Sequence, residues 1–328
     1  MSSSFRTILS EAFEAIEHGS AIDPPRALQL AGASGSDLIE LFAAAARIRE
    51  RKRGNAVDIC SIVNAKSGAC SEDCAYCAQS VHHRTNARVY PLISVDMMTD
   101  AAESAKRIGA KRFCIVTSGR GIDSSADLDA IAQGIGRVRD AGLSPCATLG
   151  TLTRNQLVCL RDAGLERYHH NIETSREFFP RICSTHTFDE RLEVLRNAAS
   201  LGLSSCSGGI LGMGESMHDR VRMAFTLREL DVDSVPLNFL MPIVGTPLGT
   251  RAPIEPMQAL HTIALFRFIL PSKEIRICGG RGTALRQLHP LIFLAGADGF
   301  MIGNYLTTSG LAPEEDLQML KDLGLRIA

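Results

Sequence analysis

Three cysteines with short, unequal spacing are the part of this sequence most able to do chemistry. Cys70, Cys74 and Cys77 lie in the segment GACSEDCAYC, residues 68–77, so three thiolates can converge on one centre from a single loop. A zinc site normally takes a fourth ligand from a nearby Cys-x-x-Cys or His pair, and none follows at that spacing. Three thiolates suit a [4Fe–4S] cluster whose fourth iron stays open to a small chelating molecule. A redox or zinc-binding loop is the alternative.

A second set of cysteines falls on or beside the predicted strands two, three, five and seven: Cys114, Cys146, Cys206 and Cys278. Arg276 precedes Cys278 by two residues and therefore shares its face. Alternate side chains of barrel strands point into the lumen, where residues from different strands can meet. One buried cysteine is usually a packing residue, but four on separate strands indicate a second iron–sulfur cluster. The other three have no obvious partner or lie in a helix: Cys60, Cys159 and Cys183.

The elements that must position these residues alternate between β-rich runs and helical periodicity after residue 55. Eight strands are predicted: Ala56–Ala65, Arg112–Ser118, Pro145–Gly150, Arg167–Thr174, Ser205–Gly212, Ser234–Met241, Glu274–Gly279 and Gly299–Gly303. The patterned helices between them include Leu128–Ala141, Arg154–Ala163, Phe188–Ser200 and Met257–Ile269. Eight strand–helix units with short links favour an α/β fold, a (β/α)8 TIM-type barrel, over an open sheet.

The three-cysteine loop leaves the end of the first strand, at the face where such barrels carry their active sites. We expect one domain over residues 1–328. It comprises a helical extension over 1–55, the barrel over 56–310 and a closing C-terminal helix over 311–328.

The composition argues against several classes of partner. The 328-residue chain has 45% apolar residues, 22% charged residues and a formal net charge of −1, which gives no long-range attraction to nucleic acid or an anionic membrane. No apolar run approaches the roughly 18 residues that span a bilayer, and residues 1–19 lack the basic start and apolar core of a secretory signal. Ten cysteines in such a chain favour ligands and buried thiols over disulfides. We expect a cytoplasmic protein.

Predicted strand four carries polar side chains on one face. With period two, His169, Asn171 and Glu173 point to the same side. Polar groups inside an apolar barrel are costly unless they bind something, so these three are candidate ligand contacts. A structural hydrogen-bonding role is the alternative.

From about residue 20 to its end, the chain resembles the biotin synthase family. The three-cysteine segment resembles the signature of radical S-adenosylmethionine enzymes. Further matching runs are RFC at 112–114, CATLGT at 146–151, HNIETS at 170–175, CSGGI at 206–210, GTP at 245–247 and NYLTT at 304–308. The resemblance implies that Cys70, Cys74 and Cys77 hold a [4Fe–4S] cluster that binds S-adenosyl-L-methionine. It also implies an auxiliary [2Fe–2S] cluster on Cys114, Cys146, Cys206 and Arg276.

The same resemblance implies roles for the residues around the clusters. It assigns Asn171 to both S-adenosylmethionine and substrate, Glu173 to the ribose hydroxyls, Arg191 to the S-adenosylmethionine carboxylate and Tyr76 to the adenine. His169 and Asn238 are substrate contacts. The implied activity is sulfur insertion into dethiobiotin at two unactivated carbons, which gives biotin. An electron donor such as flavodoxin or ferredoxin and a homodimer are also implied.

Three positions depart from the pattern of the family. Cys278 stands where other members carry a non-ligating residue, and a thiolate is a better iron ligand than a guanidinium, which is normally protonated. We hypothesise that Cys278 replaces Arg276 as fourth ligand or supports a four-iron auxiliary cluster; a packed bystander is the alternative. Glu173 replaces an Asp, and His169 replaces an Asn. Two other functions compete: a sibling such as a hydrogenase-maturation or methylornithine-forming enzyme, and an iron–sulfur electron carrier.

Overall fold

A closed parallel barrel forms the centre of the molecule. The computed structural model describes residues 3–328, with side chains from residue 5. Eight strands follow one another around the barrel in the order β1-β2-β3-β4-β5-β7-β8-β9, all parallel, and β9 pairs with β1 to close it. This confirms the predicted (β/α)8 TIM-type fold. The strands are β1 (Ala56–Lys66), β2 (Arg112–Thr117), β3 (Ser144–Thr148), β4 (Arg167–His169), β5 (Ser204–Cys206), β6 (Gly209–Leu211), β7 (Ser234–Phe239), β8 (Glu274–Ile277), β9 (Gly299–Met301) and β10 (Arg326–Ile327).

Helices cover the outside of the barrel and precede it. They are α1 (Ser3–Glu17), α2 (Pro24–Leu30), α3 (Ser36–Arg53), α4 (Val95–Arg107), α5 (Ser125–Asp140), α6 (Arg154–Asp162), α7 (Phe188–Ser200), α8 (Met217–Glu229), α9 (Pro256–Ile269), α10 (Arg281–Leu285) and α11 (Pro313–Asp322). Helices α1, α2 and α3 all contact α9, whose residues are almost all buried. Short 3-10 helices span Phe179–Arg181 and Arg286–Ile292. No helix within residues 3–328 has the length and apolar character needed to cross a membrane.

Most predicted strands match the structure to within two residues at each end, and two differ more. The prediction extended strand four to Thr174, but β4 ends at His169. Glu173 has a positive φ of 69°, a conformation that a strand cannot contain. The predicted fifth strand is divided into β5 and β6, and β6 pairs with β7. Both changes lie at the carboxyl ends of the strands, where the backbone turns over the lumen.

Side-chain caps determine where the helices beside the barrel mouth begin. Thr187 accepts a hydrogen bond from the backbone N–H of Glu190, and the Glu190 side chain accepts one from the backbone of Thr187. This capping box starts α7. Arg191 therefore lies in the first turn, and its side chain is buried against the barrel.

Candidate active site

One cavity extends from the loop after β1 into the barrel, with a volume of about 420 Å³. Pockets for small ligands usually measure about 300–1,000 Å³. The cavity opens at the carboxyl ends of the strands, as the sequence predicts. Its outer end is lined by the three-cysteine loop, and its inner end by alternate residues of the strands: Cys60, Cys114, Cys146, Cys206, Arg276 and Cys278.

The outer end is built by the loop that carries the three predicted cluster ligands. Cys70 and Cys74 are buried and Cys77 is half-buried. Gln79 supports the loop, because its side-chain oxygen accepts hydrogen bonds from Gly68 N at 3.1 Å and Ser67 Oγ at 3.0 Å. Among residues 3–328, the three thiols do not form a group within 4.8 Å of one another. A single ion would need closer sulfurs, so this wider set fits a cluster that offers each thiolate its own iron.

The inner end collects the second set of thiols. Cys114 and Cys146 lie directly opposite each other on β2 and β3, and Cys206 ends β5. Each is no more than 7% exposed, and Cys278 is 2% exposed. Burial raises the pKa of the Cys206 thiol to about 12, so this thiol stays protonated at neutral pH unless a metal displaces its proton. The number and enclosure of these thiols fit an iron–sulfur cluster.

Arg276 reaches the same floor but is tied to carboxylates. Its Nη2 lies 2.9 Å from Asp58 Oδ1 and 3.1 Å from Glu274 Oε2. Within residues 3–328, its Nε has no hydrogen-bond partner although it is buried. The guanidinium is therefore held as a cation, and these carboxylates compete with any metal for its nitrogen atoms.

Cys60 is a residue that the sequence reasoning missed. It was expected to lack a partner, but its thiol contacts that of Cys278, and this contact lowers the pKa of Cys60 to about 6. The positive charge of Arg276 also lowers the pKa of Cys60. The signal was present, because period two along β1 places Cys60 and Ile62 on the inward face. Five thiols thus converge on the floor instead of the four that were predicted.

A hydrogen-bonded chain joins the floor to the mouth. The Oγ1 of Thr148 lies 3.4 Å from Cys114 Sγ and 2.8 Å from His169 Nδ1. The Nε2 of His169 lies 3.0 Å from Asn171 Oδ1, which also accepts from Gly208 N at 3.0 Å. Because that oxygen is an acceptor, His169 carries its proton on Nε2. Asn171 Nδ2 donates to Glu173 at 3.4 Å, so the predicted polar face converges although β4 has ended.

Glu173, Arg191 and Tyr76 form a buried polar group beside the three-cysteine loop. Arg191 Nη1 donates to the backbone oxygen of Asn171 at 2.8 Å and lies 3.6 Å from Glu173 Oε1. Burial raises the pKa of Glu173, and Arg191 opposes that shift. Tyr76 also lies near the Glu173 carboxylate and lowers its pKa. Arg191 is buried, so it does not form an ion pair on the surface of α7. Acceptors and a cation meet here around one space, as a zwitterionic ligand requires.

Asn238 bridges two glycine-containing segments at the cavity wall. Its Nδ2 donates to Gly209 O at 3.3 Å, and its Oδ1 accepts from Gly279 N at 2.9 Å. Asn238 lines the cavity, and its contact with substrate stays a prediction; both ends of the amide already have backbone partners.

Cys183 is the second residue that was expected to lack a partner. Its Sγ lies 3.9 Å from Cys74 Sγ and 3.3 Å from His186 Nδ1. Cys183 and His186 lie in the irregular segment before α7, where no periodicity indicates which way a side chain points.

Two family models match complementary parts of the chain. The model of the radical SAM superfamily matches residues 65–227, and that of the biotin and thiamin synthesis associated domain matches residues 236–326. Among solved structures, methylornithine synthase covers 97% of both chains with a TM-score of 0.84 at 18% identity. A maturase of the [FeFe]-hydrogenase has a TM-score of 0.81 at 16% identity and covers 99% of this chain and 78% of its own. These likenesses show the fold. The match to the radical SAM superfamily model, together with the cysteine loop at the barrel mouth, defines a radical S-adenosylmethionine enzyme.

Relatives of higher identity define the family. The biotin synthase of Geobacter metallireducens is 51% identical over 310 residues, which cover 94% of each chain. That of Geotalea daltonii is 52% identical over 321 residues, 98% of each chain. The chain therefore belongs to the biotin synthase family. The resemblance noted from the sequence is confirmed, and the sibling enzymes are similar in fold alone.

Proposed function

We propose that the two ends of the cavity divide the work of a biotin synthase, the radical S-adenosylmethionine-dependent sulfurtransferase that converts dethiobiotin to biotin. The observation that carries the proposal is that one cavity is lined by two separate thiol sets, three at the mouth and five at the floor. A substrate between them can meet a radical on one side and a sulfur donor on the other. An electron carrier would need no such enclosed space.

The outer thiols Cys70, Cys74 and Cys77 would hold the [4Fe–4S] cluster. When bound, this group supplies an electron that cleaves S-adenosylmethionine to methionine and a 5′-deoxyadenosyl radical, and the auxiliary cluster supplies sulfide. The protein's residues bind and orient. Arg191 would pair with the carboxylate of S-adenosylmethionine, and Glu173 would accept hydrogen bonds from its ribose. Tyr76 would pack on the adenine.

The inner residues would position substrate and sulfur. Asn171 lies between the two ends and would contact both S-adenosylmethionine and substrate, with His169 and Asn238 as further substrate contacts. The barrel wall keeps water from the carbon radical, which excludes side reactions. Binding both partners in one orientation gives the proximity that each carbon–sulfur bond needs.

For the auxiliary cluster we propose Cys114, Cys146 and Cys206 as ligands, with Cys278 as the fourth in place of Arg276. Two observations support this choice. Both Nη2 contacts of Arg276 are carboxylates, and Cys278 lies at the floor beside Cys60. Four thiolates can hold either a [2Fe–2S] or a [4Fe–4S] cluster, so with Cys278 as the fourth ligand we also propose a four-iron cluster as the alternative to [2Fe–2S].

Anaerobic assay tests the activity. The full-length chain is reconstituted with iron and sulfide and incubated with reductant, S-adenosylmethionine and dethiobiotin. Biotin and 5′-deoxyadenosine are both expected. 5′-Deoxyadenosine without biotin would indicate a sibling radical enzyme, and neither product would indicate an electron carrier.

Iron and sulfide analysis with Mössbauer spectra tests the ligands. Cys278→Ser is expected to lose auxiliary iron, whereas Arg276→Ala keeps it. The control is Cys159→Ser, on the outer helix α6. Unchanged iron and spectrum in Cys278→Ser would leave Cys278 a packing residue and return Arg276 to the ligand set.

We also propose four further properties of this chain: a homodimer, a flavodoxin or ferredoxin as electron donor, a cytoplasmic location and one domain over residues 1–328. Free thiols and iron–sulfur ligands suit a reducing compartment. Light scattering of the reconstituted chain tests the homodimer.

A further inference from the structure

Cys74 has two neighbours that the radical chemistry does not use. Its Sγ lies 3.9 Å from the Sγ of Cys183, which lies 3.7 Å from His186 Nε2. Within residues 3–328, this is the one group of three or more His, Cys, Asp or Glu residues whose ligand atoms all lie within 4.8 Å of one another. Cys74 and Cys183 are buried, and His186 is half-buried.

These distances match the shell of a single ion. With metal–sulfur bonds of about 2.3 Å and metal–nitrogen bonds of about 2.0 Å, a tetrahedral site separates two sulfurs by about 3.8 Å and a sulfur from a nitrogen by about 3.5 Å. The wider set of Cys70, Cys74 and Cys77 does not meet this condition. One loop therefore offers Cys74 to two different kinds of metal centre.

Hydrogen bonds at both ring nitrogens fix the orientation of His186. Its Nδ1 hydrogen-bonds the Glu72 carboxylate, and a carboxylate on one ring nitrogen is the usual support for a histidine that binds metal through the other. The Nε2 accepts a hydrogen bond from Arg191 Nε at 2.9 Å. A cation would take the place of that N–H, and the repulsion by Arg191 would limit its affinity.

We propose that, before the [4Fe–4S] cluster is assembled, Cys74, Cys183 and His186 bind one thiophilic divalent cation, Zn²⁺ or Fe²⁺. Water is the fourth ligand. Binding transfers the two thiol protons to solvent, and the two thiolates balance the charge of the ion. Because Cys74 is also a cluster ligand, the ion and the complete cluster exclude each other. The site controls cluster assembly and does not depend on which substrate the enzyme uses.

Titration of the cluster-free, full-length chain with Co²⁺ tests the site, because tetrahedral thiolate-bound Co²⁺ absorbs visible light. The floor thiols can also bind Co²⁺, so the number of ions is compared between variants. Cys183→Ser and His186→Gln are each expected to bind one ion fewer than wild type, or to bind it at least about 10-fold more weakly. Cys159→Ser is the control and keeps the wild-type number. Circular dichroism establishes that each variant is folded.

Cluster assembly provides the second readout. One equivalent of Zn²⁺ is expected to slow reconstitution of the mouth cluster in wild type and in Cys159→Ser, but not in Cys183→Ser. Fe²⁺ bound in place of Zn²⁺ should be incorporated into the cluster when sulfide is added. This result distinguishes the two ions. The proposal is overturned if folded Cys183→Ser and His186→Gln bind Co²⁺ as wild type does, or if Zn²⁺ leaves wild-type assembly unchanged. Neither measurement depends on biotin formation. A negative result would therefore overturn the metal site without contradicting the proposed function.

Discussion

The polar residues at the mouth are held by one another, which makes each of them sensitive to its neighbours. Asn171 accepts from Gly208 N and His169, donates to Glu173, and its backbone oxygen accepts from Arg191. Such a network is strong when complete and costly when one member is removed. The carboxylate of Glu173 is the one buried negative charge of this network, so removing it should have the largest effect.

Glu173→Gln should weaken binding of S-adenosylmethionine by about 10- to 100-fold, since a buried hydrogen bond to a charged group contributes about 1.5–3 kcal/mol. The variant also leaves Arg191 without its carboxylate. Equilibrium dialysis of the reconstituted enzyme measures the dissociation constant. Glu177→Gln is the control, because Glu177 is exposed and pairs with Arg222 outside the cavity. Equal affinities in the two variants would remove Glu173 from the cofactor site.

His169 should make the folded state sensitive to acid. Burial lowers its pKa from 6.5 to about 4, so between these values the unfolded chain takes up a proton that the folded chain does not. The contribution of neutral His169 to stability is complete above pH about 6.5 and is lost as the pH falls toward about 4. From pH 7 to 5, wild type should lose about 2 kcal/mol more unfolding free energy than His169→Asn. Urea unfolding at the two pH values measures it; equal losses would show that the imidazole titrates normally.

The elements near the lumen were more predictable than the loops that cover it. Period two identified the strands and the inward positions of Cys114, Cys146 and Arg276, because alternation is a property of the strand alone. Cys183 and His186 belong to a segment without regular structure, where tertiary contacts decide the orientation of each side chain. The end of β4 was also missed, since the left-handed conformation of Glu173 depends on close contact with the next strand.

That contact is made possible by glycine. Gly209 lies on β6 so close to the carbonyl of Glu173 that an added Cβ would collide with it, and the Sδ of Met223 would be 2.7 Å away. Gly209→Ala must therefore displace the turn that carries Glu173. The geometry of the mouth thus depends on an element that contributes no ligand to it.

Gly209→Ala should destabilise the fold by about 1–3 kcal/mol, the usual cost of overpacking a close contact. Gly136→Ala in α5 is the matched control, because its Cβ would meet no atom closer than 4.0 Å. There alanine should stabilise the helix by about 0.5–1 kcal/mol. Urea unfolding of both variants measures the difference. If Gly209→Ala were as stable as wild type, β6 would not pack against this turn as tightly as described.

At the scale of the whole molecule, the C-terminal part returns to the barrel and completes the cavity. The segment between β9 and α11 contributes Tyr305, Leu306, Thr307 and Thr308 to the cavity wall. One buried ion pair fixes α11. Arg281 Nη2 lies 2.8 Å from Asp316 Oδ1 and 2.7 Å from its Oδ2, with both side chains fully buried.

Asp316→Asn should cost about 3–5 kcal/mol of unfolding free energy, since it leaves the buried charge of Arg281 without its partner. The double variant Arg281→Met with Asp316→Leu should lose less, because it removes both charges and keeps apolar volume. Glu314→Gln, an exposed residue of the same helix, is the control and should change little. Limited proteolysis should cut Asp316→Asn first in the segment between β9 and α11. Because that segment forms part of the cavity wall, the affinity of the variant for dethiobiotin should also fall. Uniform cleavage with unchanged affinity would mean that the ion pair stabilises the fold without shaping the cavity.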